Sequence, residues 1–161
     1  MGELGFGLGF DVHRRDPDRP LRLGGVAFPV HAGLAAHSDG DVICHALCDA
    51  LLGAAALGDL GEHFPEEDPD LEGIEGPELI RRTVTVLGES GYVPRSCDLV
   101  LVAEGPPIAD RRPEMRRALA EALGVGVDRV SLKATRPEGL GLSGDGAGCL
   151  ALAVVEGRST R

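Results

Sequence analysis

The chain has 161 residues, enough for one domain with a real core, and carries 26 acidic against 16 basic side chains for a formal charge of -10. That balance repels a nucleic-acid backbone, no basic run with interleaved aromatics offsets it, and no apolar run reaches membrane-span length. Aromatics are only 3% and Trp is absent, so the core must be aliphatic, while 24 glycines imply many tight turns.

Residues 4–13 read as a first strand, punctuated by Gly5, Gly7 and Gly9. No targeting leader is expected ahead of it, and a cytoplasmic protein is the expectation. Asp11 and His13 within this strand are spaced i, i+2, so an extended backbone presents a carboxylate and an imidazole on one face. Asp16-Pro17-Asp18-Arg19-Pro20 has the dipeptides of a turn or mobile loop. Leu21-Arg22-Leu23 and Val26-Ala27-Phe28 bracket Gly24-Gly25, the pattern of a hairpin with a two-residue turn. Loop is expected over 29–39, then a helix over 41–57. In that helix Ile43, Ala46, Leu47, Ala50 and Ala54 share one stripe, Asp41, His45 and Asp49 share the opposite one, and Ser38 or Asp39 can cap.

Residues 58–76 are polar and aperiodic, with only Phe64, Leu71 and Ile74 as apolar anchors. Such a segment is either disordered or functional, and as a functional one it would be a lid over the site. Pro77 opens a second helix with Leu79, Ile80, Thr83, Val84 and Leu87 on one face and Gly91 as its stop. Residues 98–103 form an apolar, β-branched strand. Pro113 opens a third helix, through Met115, Leu119, Ala122 and Leu123 to Gly124. Residues 130–135 and 149–156 read as the last strands and 157–161 as a frayed tail. This alternation predicts an α/β (α+β) fold: a single mixed sheet, helices packed on one face, one domain over 1–161.

Two imidazoles and a carboxylate, Asp11, His13 and His45, with no fourth protein ligand evident, are the donor set of a catalytic zinc site with an open position. The same spacing also suits a solvated His45 on a helix face and an Asp11 that caps a turn. Spacing alone leaves both open. Gly139-Leu140-Gly141-Leu142-Ser143-Gly144 matches the dinucleotide-loop pattern, but a strand follows it where that motif needs a helix, so a plain turn is the better account. Cys44, Cys48, Cys97 and Cys149 include no Cys-x-x-Cys pair, and reduced, buried thiols are expected.

Longer motifs carry more. Gly9-Phe10-Asp11-Val12-His13, Ala36-His37-Ser38-Asp39-Gly40-Asp41-Val42 with His45-Ala46-Leu47, and the run from Asp49-Ala50-Leu51-Leu52-Gly53 to Leu57-Gly58-Asp59 resemble the 2-C-methyl-D-erythritol 2,4-cyclodiphosphate synthase family. Phe64-Pro65 with Asp68-Pro69, Gly91-Tyr92, and Lys133-Ala134-Thr135 with Glu138 agree, so the resemblance spans nearly the whole chain. It implies a homotrimer with active sites at subunit interfaces, acting in non-mevalonate isoprenoid biosynthesis. The implied reaction is internal: the 2-phosphate of 4-diphosphocytidyl-2-C-methyl-D-erythritol 2-phosphate attacks the β-phosphorus, CMP leaves and a cyclic diphosphate closes. Positioning and metal electrostatics suffice for that, because a phosphate monoester is already ionised near neutral pH.

Residue by residue, the resemblance implies that Asp11, His13 and His45 hold zinc. Glu138 would hold a second ion, Mg²⁺ or Mn²⁺, on the diphosphate. His37 and Ser38 would contact the 2-phosphate, and Asp59 the erythritol hydroxyls, with Gly61, Phe64, Glu66 and Asp68 around them. Ala103, Pro106, Lys133, Ala134, Thr135 and Arg136 would line the cytidine diphosphate site. His37, Ser38, Asp59, Thr135 and Glu138 are the candidate catalytic set, and Asp41 and Asp49 candidates for orienting the imidazoles. The chain departs from the family pattern at Pro107, where a basic residue is expected, and at Arg136, where a threonine is. Arg136 could replace the missing cation. Glu66 stands for an aspartate, and Asp145 and Ala147 stand for a basic and acidic pair that lines the central channel in relatives. Two rivals follow: a metal-dependent phosphodiesterase on the same scaffold, and a non-catalytic cytidine-nucleotide-binding paralogue.

Overall fold

The computed structural model describes residues 2–141 and 145–158. The chain runs β1 (Leu4–Leu23), β2 (Val26–Leu34), α1 (Val42–Ala54), α2 (Leu60–His63), α3 (Gly76–Glu89), β3 (Tyr92–Ala103), α4 (Arg112–Leu123), β4 (Val130–Thr135) and β5 (Gly146–Gly157). Short 3₁₀ turns fall at Pro69–Leu71 and Val127–Arg129. One five-stranded sheet has the order β2-β1-β5-β3-β4. Only β3 and β4 pair in parallel; the other neighbours are antiparallel. The mixed single sheet of the α/β expectation is what forms.

The first half of β1 positions everything else. Gly5, Gly7, Gly9, Asp11 and His13 alternate onto the face that α1 covers, while Leu4, Phe6, Leu8, Phe10 and Val12 point the other way. A Cβ on Gly5, Gly7 or Gly9 would fall 2.1, 1.9 or 2.0 Å from the carbonyl oxygens of Ala54, Ala50 and Ala46. The glycines therefore let the helix backbone lie directly on the strand, and the predicted alanine stripe is the helix side of that contact. Leu47, Leu51, Ile80, Leu87, Leu99 and Leu119 fill the rest of a continuous core between sheet and helices.

The opposite face stays bare, with Phe6, Leu8 and Phe10 exposed by 66%, 68% and 56%. Leu152 and Leu150 of β5 pair beside Leu8 and Phe10 and extend that apolar surface. Among the described residues, no helix is long and apolar enough to cross a membrane.

Several boundaries move. The first strand does not stop at His13: β1 continues to Leu23, and the expected turn at Asp16-Pro17-Asp18-Arg19-Pro20 is a bulged part of it, with register shifts on both sides of Pro20. The loop expected over 29–39 is strand as far as Leu34, because the hairpin partner supplies ladder bonds that local composition does not reveal. Gly24 and Gly25, at φ 58° and 78°, do form the two-residue turn. β3 begins six residues before the predicted strand and β5 three before, again through pairing with each other.

The cap of α1 is Asp41 rather than Ser38 or Asp39, and the helix ends at Ala54. α3 and α4 begin with Pro77 and Pro113 in the first turn as predicted, and Gly124 ends α4 in a left-handed conformation at φ 71°. Of the turn read over Gly139-Leu140-Gly141-Leu142-Ser143-Gly144, the last three residues lie outside the described residues, as do 159–161 of the expected tail. Strand β5 does follow that turn.

Candidate metal centre and pocket

Asp11 and His13 continue the glycine row of β1 on the face under α1, and His45 immediately precedes Ala46, which rests on Gly9. The close approach of strand and helix therefore delivers all three side chains to one point. Asp11 Oδ2 lies 2.7 Å from His13 Nε2 and 3.1 Å from His45 Nδ1, and the two nitrogens are 2.9 Å apart. Such a trio can hold a divalent metal ion. Tetrahedral zinc keeps its donors roughly 3.3 Å apart, so each pair opens by only a few tenths of an ångström on binding.

Burial alone would raise the Asp11 carboxyl. Hydrogen bonds from His13 and His45, with the attraction of their charges, overturn that and hold it well below the usual carboxylate range. For His13, burial favours the neutral ring, but the bond and charge of Asp11 outweigh it and raise the pKa above 6.5. The pair is thus an ionised carboxylate beside an imidazole that readily protonates.

His45 is buried, not displayed on a solvated stripe as the periodicity suggested. Its Nε2 lies 2.7 Å from Ser38 Oγ, which also accepts from the Gly40 amide at 3.2 Å. With a metal ion on Nδ1, which faces Asp11 and His13, Nε2 would carry the proton and donate to Ser38. Ser38 then accepts two hydrogen bonds and keeps its own proton to give to a ligand. Neither Asp41 nor Asp49 makes the expected bond to an imidazole. Asp41 accepts from the amides of Gly24, Gly25, Ile43 and Cys44, and Asp49 from Leu60 N at 2.8 Å. Burial raises the Asp49 carboxyl pKa.

A pocket of about 370 Å³ opens beside the trio. Asp11, His13, His37, Ser38, His45, Asp59, Gly61, Phe64 and Glu66 from the predicted set all line it. The 58–76 segment forms one wall through α2, Pro65, Leu71 and Ile74, as a lid would. Leu79 and Asp49 also line it; Asp49 shares the His45 stripe of α1, whereas only the packing of α3 reveals Leu79. His37 Nε2 is buried without a hydrogen-bond partner among the described residues. A buried polar atom left this way calls for a partner, and a ligand in the pocket can supply one.

The remaining predicted residues lie elsewhere. Asp68 caps the 3₁₀ turn by accepting from Asp70 N. Ala103 ends β3 and Pro106 lies in the loop after it, while Lys133, Ala134 and Thr135 pair with the end of β3 because the two strands run parallel in register. Lys133 pairs with Asp98, and Arg136 and Glu138 are exposed. None of these lines the pocket. The four cysteines are buried and unbridged, and burial pushes Cys48 and Cys97 up to about 12, so these thiols are inert.

A carboxylate and two imidazoles converging beside a pocket, under a mixed sheet and its helices, define an α/β protein with a donor set that could hold a metal ion. The chain belongs to the YgbB family, whose model matches residues 4–157. It is 51% identical over 154 residues to the 2-C-methyl-D-erythritol 2,4-cyclodiphosphate synthase of Symbiobacterium thermophilum, covering 94% of this chain and 98% of that one. A solved structure of a synthase of that name in a CDP-bound form superposes with a TM-score of 0.85 at 34% identity, covering 94% of this chain and 99% of the other. A bifunctional enzyme from Campylobacter jejuni superposes with a TM-score of 0.91 at 36% identity, and there 98% of this chain matches 43% of the longer one.

Proposed function

We propose that this chain, as a single domain over 1–161, is a cyclodiphosphate synthase. It converts 4-diphosphocytidyl-2-C-methyl-D-erythritol 2-phosphate to 2-C-methyl-D-erythritol 2,4-cyclodiphosphate and CMP, in the cytoplasm, as a step of isoprenoid precursor biosynthesis. The observation that carries the reading is the meeting of Asp11, His13 and His45 at 2.7 to 3.1 Å beside the pocket, in a chain half identical to a relative of that name. The same relatives argue against the phosphodiesterase and non-catalytic readings.

Asp11, His13 and His45 would hold zinc, which would supply charge withdrawal at the phosphate under attack. The protein's own task is to fold back a substrate whose two phosphate groups repel each other. Ser38, with its spare proton, and His37, with its unpartnered Nε2, hold the 2-phosphate. Asp59, at the mouth of the pocket, binds the erythritol hydroxyls, with Gly61, Phe64 and Glu66 around them. A phosphate oxygen then forms the new P–O bond to the β-phosphorus, and the bond to CMP breaks. No general base is needed.

The residues assigned to the diphosphate and cytidine, Ala103, Pro106, Lys133, Ala134, Thr135, Arg136 and Glu138, belong to a second cluster away from the pocket. In our reading they complete the pocket of a neighbouring subunit in a homotrimer, where Glu138 would hold Mg²⁺ or Mn²⁺ with the diphosphate. The bare face of β1 and β5 supports this, since an apolar patch of this extent is unusual for a monomer. Incubation with the diphosphocytidyl substrate, Zn²⁺ and Mg²⁺ tests the function. A cyclic diphosphate in the ³¹P spectrum together with CMP is expected; CMP with an open-chain phosphate, or no turnover, would overturn it.

A further inference from the structure

The bulge at 16–20 in β1 has a built seat. A Cβ on Gly33 of β2 would fall 2.5 Å from the carbonyl oxygen of Pro20 and 2.7 Å from that of Arg19, two backbone atoms that cannot step aside. A residue without a side chain is therefore what lets the bulge lie against β2. Bulges re-aim side chains, and this one turns the Arg19 guanidinium onto the segment that follows β2. Its two terminal nitrogens donate to the carbonyl oxygens of Ala36 and Ser38. Among the described residues Arg19 makes no ion pair, so carbonyl dipoles alone receive its charge.

The intervening residues are gripped from the lid segment. His37 O accepts from Gly73 N at 2.9 Å, and Asp39 N donates to Ile74 O at 3.0 Å. Residues 36 and 38 are thus held by Arg19, and 37 and 39 by the lid segment. Between the grips stand His37, with its unpartnered Nε2, and Ser38, whose hydroxyl meets His45 Nε2.

We infer that Arg19 is a positioning residue: its fork fixes the 36–39 segment so that His37 and Ser38 meet a phosphate and Ser38 holds the His45 ring. Arg19 itself touches neither substrate nor metal ligand. The inference rests on the proposed roles of His37 and Ser38. A planar guanidinium can serve two carbonyls at once, and a lysine ammonium reproduces that geometry poorly.

The test compares wild type, Arg19→Ala and Arg19→Lys in the ³¹P assay, and follows the His45 ring nitrogens by ¹⁵N-imidazole NMR in the metal-free protein. Arg19→Ala should raise KM by roughly ten- to a hundredfold with a smaller fall in kcat, since misplacement by about an ångström has effects of that order. Arg19→Lys should recover only part of this, and added guanidinium ion should partly rescue Arg19→Ala. The His45 ring signals should shift or broaden in both variants. A wild-type KM and an unchanged His45 signal in Arg19→Ala would overturn the inference. So would a loss that only tracks a lower melting temperature and ignores guanidinium. If Arg19→Ala does not fold, Arg19→Lys carries the same comparison. A wild type without turnover would instead count against the proposed reaction, and the NMR arm would still decide whether Arg19 orders the segment.

Discussion

A buried carboxylate persists only where hydrogen bonds meet its charge, and Asp41, fully buried, accepts from four backbone amides. Two belong to the hairpin turn at Gly24 and Gly25 and two to the first turn of α1, so one side chain ties the β1–β2 hairpin to the helix that carries His45. Asp41→Ala should destabilise by about 3–5 kcal/mol, more than an ordinary cap, because the hairpin amides lose their acceptor as well. Urea unfolding measures this, and a cost below about 1 kcal/mol would show that water replaces the carboxylate freely.

At the metal centre the signs of the pKa shifts define a pH window for the metal-free protein. The raised His13 pKa gives stability that is present below 6.5 and lost as pH rises through the raised value. The lowered Asp11 pKa gives stability that is present above 3.8 and lost as pH falls through the lowered value. Protonated His13 opposite Asp11 is therefore the competitor of the metal in weak acid. Zinc should raise the melting temperature more at about pH 8 than at about pH 6, and calorimetry in different buffers should register proton release on binding near the lower value. Asp11→Asn should abolish the zinc-induced shift, while an undiminished shift would remove Asp11 from the ligand set.

Among the elements, β1 shows how a sequence pattern can be legible while its reason is not. The glycines at 5, 7 and 9 were visible as punctuation, and the alanines at 46, 50 and 54 as an apolar stripe. Only packing shows that the two rows are one close contact between strand and helix. Gly9→Ala would drive a methyl into the Ala46 carbonyl and lift α1 where His45 leaves it. We expect a cost of about 1–3 kcal/mol or more from overpacking against rigid backbone, and weaker zinc binding than the stability loss alone explains. A Gly9→Ala protein with wild-type melting and zinc affinity would contradict the register. Helix starts at Pro77 and Pro113, the Gly24-Gly25 turn and β4 were readable because their signals are local. The bulge at 16–20, the far half of β2 and the first half of β3 were not, since Pro and Gly there read as breakers until partner strands supply the hydrogen bonds.

For the whole molecule, the two clusters of predicted residues and the uncovered sheet face point to the same assembly. Leu8→Asp places a charge in the middle of that face, 68% exposed in the single chain and buried in the proposed trimer. The variant should scatter light as a monomer, keep zinc binding because Asp11, His13 and His45 lie in one chain, and lose synthase turnover. A monomeric Leu8→Asp protein with full turnover would show that each chain holds a complete site.

The amino-acid order by itself determined the secondary-structure plan, the donor types and, through its long motifs, the family, because these depend on neighbours a few residues apart. Tertiary structure decided that His45 is buried and oriented by Ser38, that Asp41 is a structural tie, and that Arg19 reaches the 36–39 segment. Each of those contacts joins residues whose meeting depends on how strands pair and how closely a helix can lie on a sheet, which spacing along the chain does not encode.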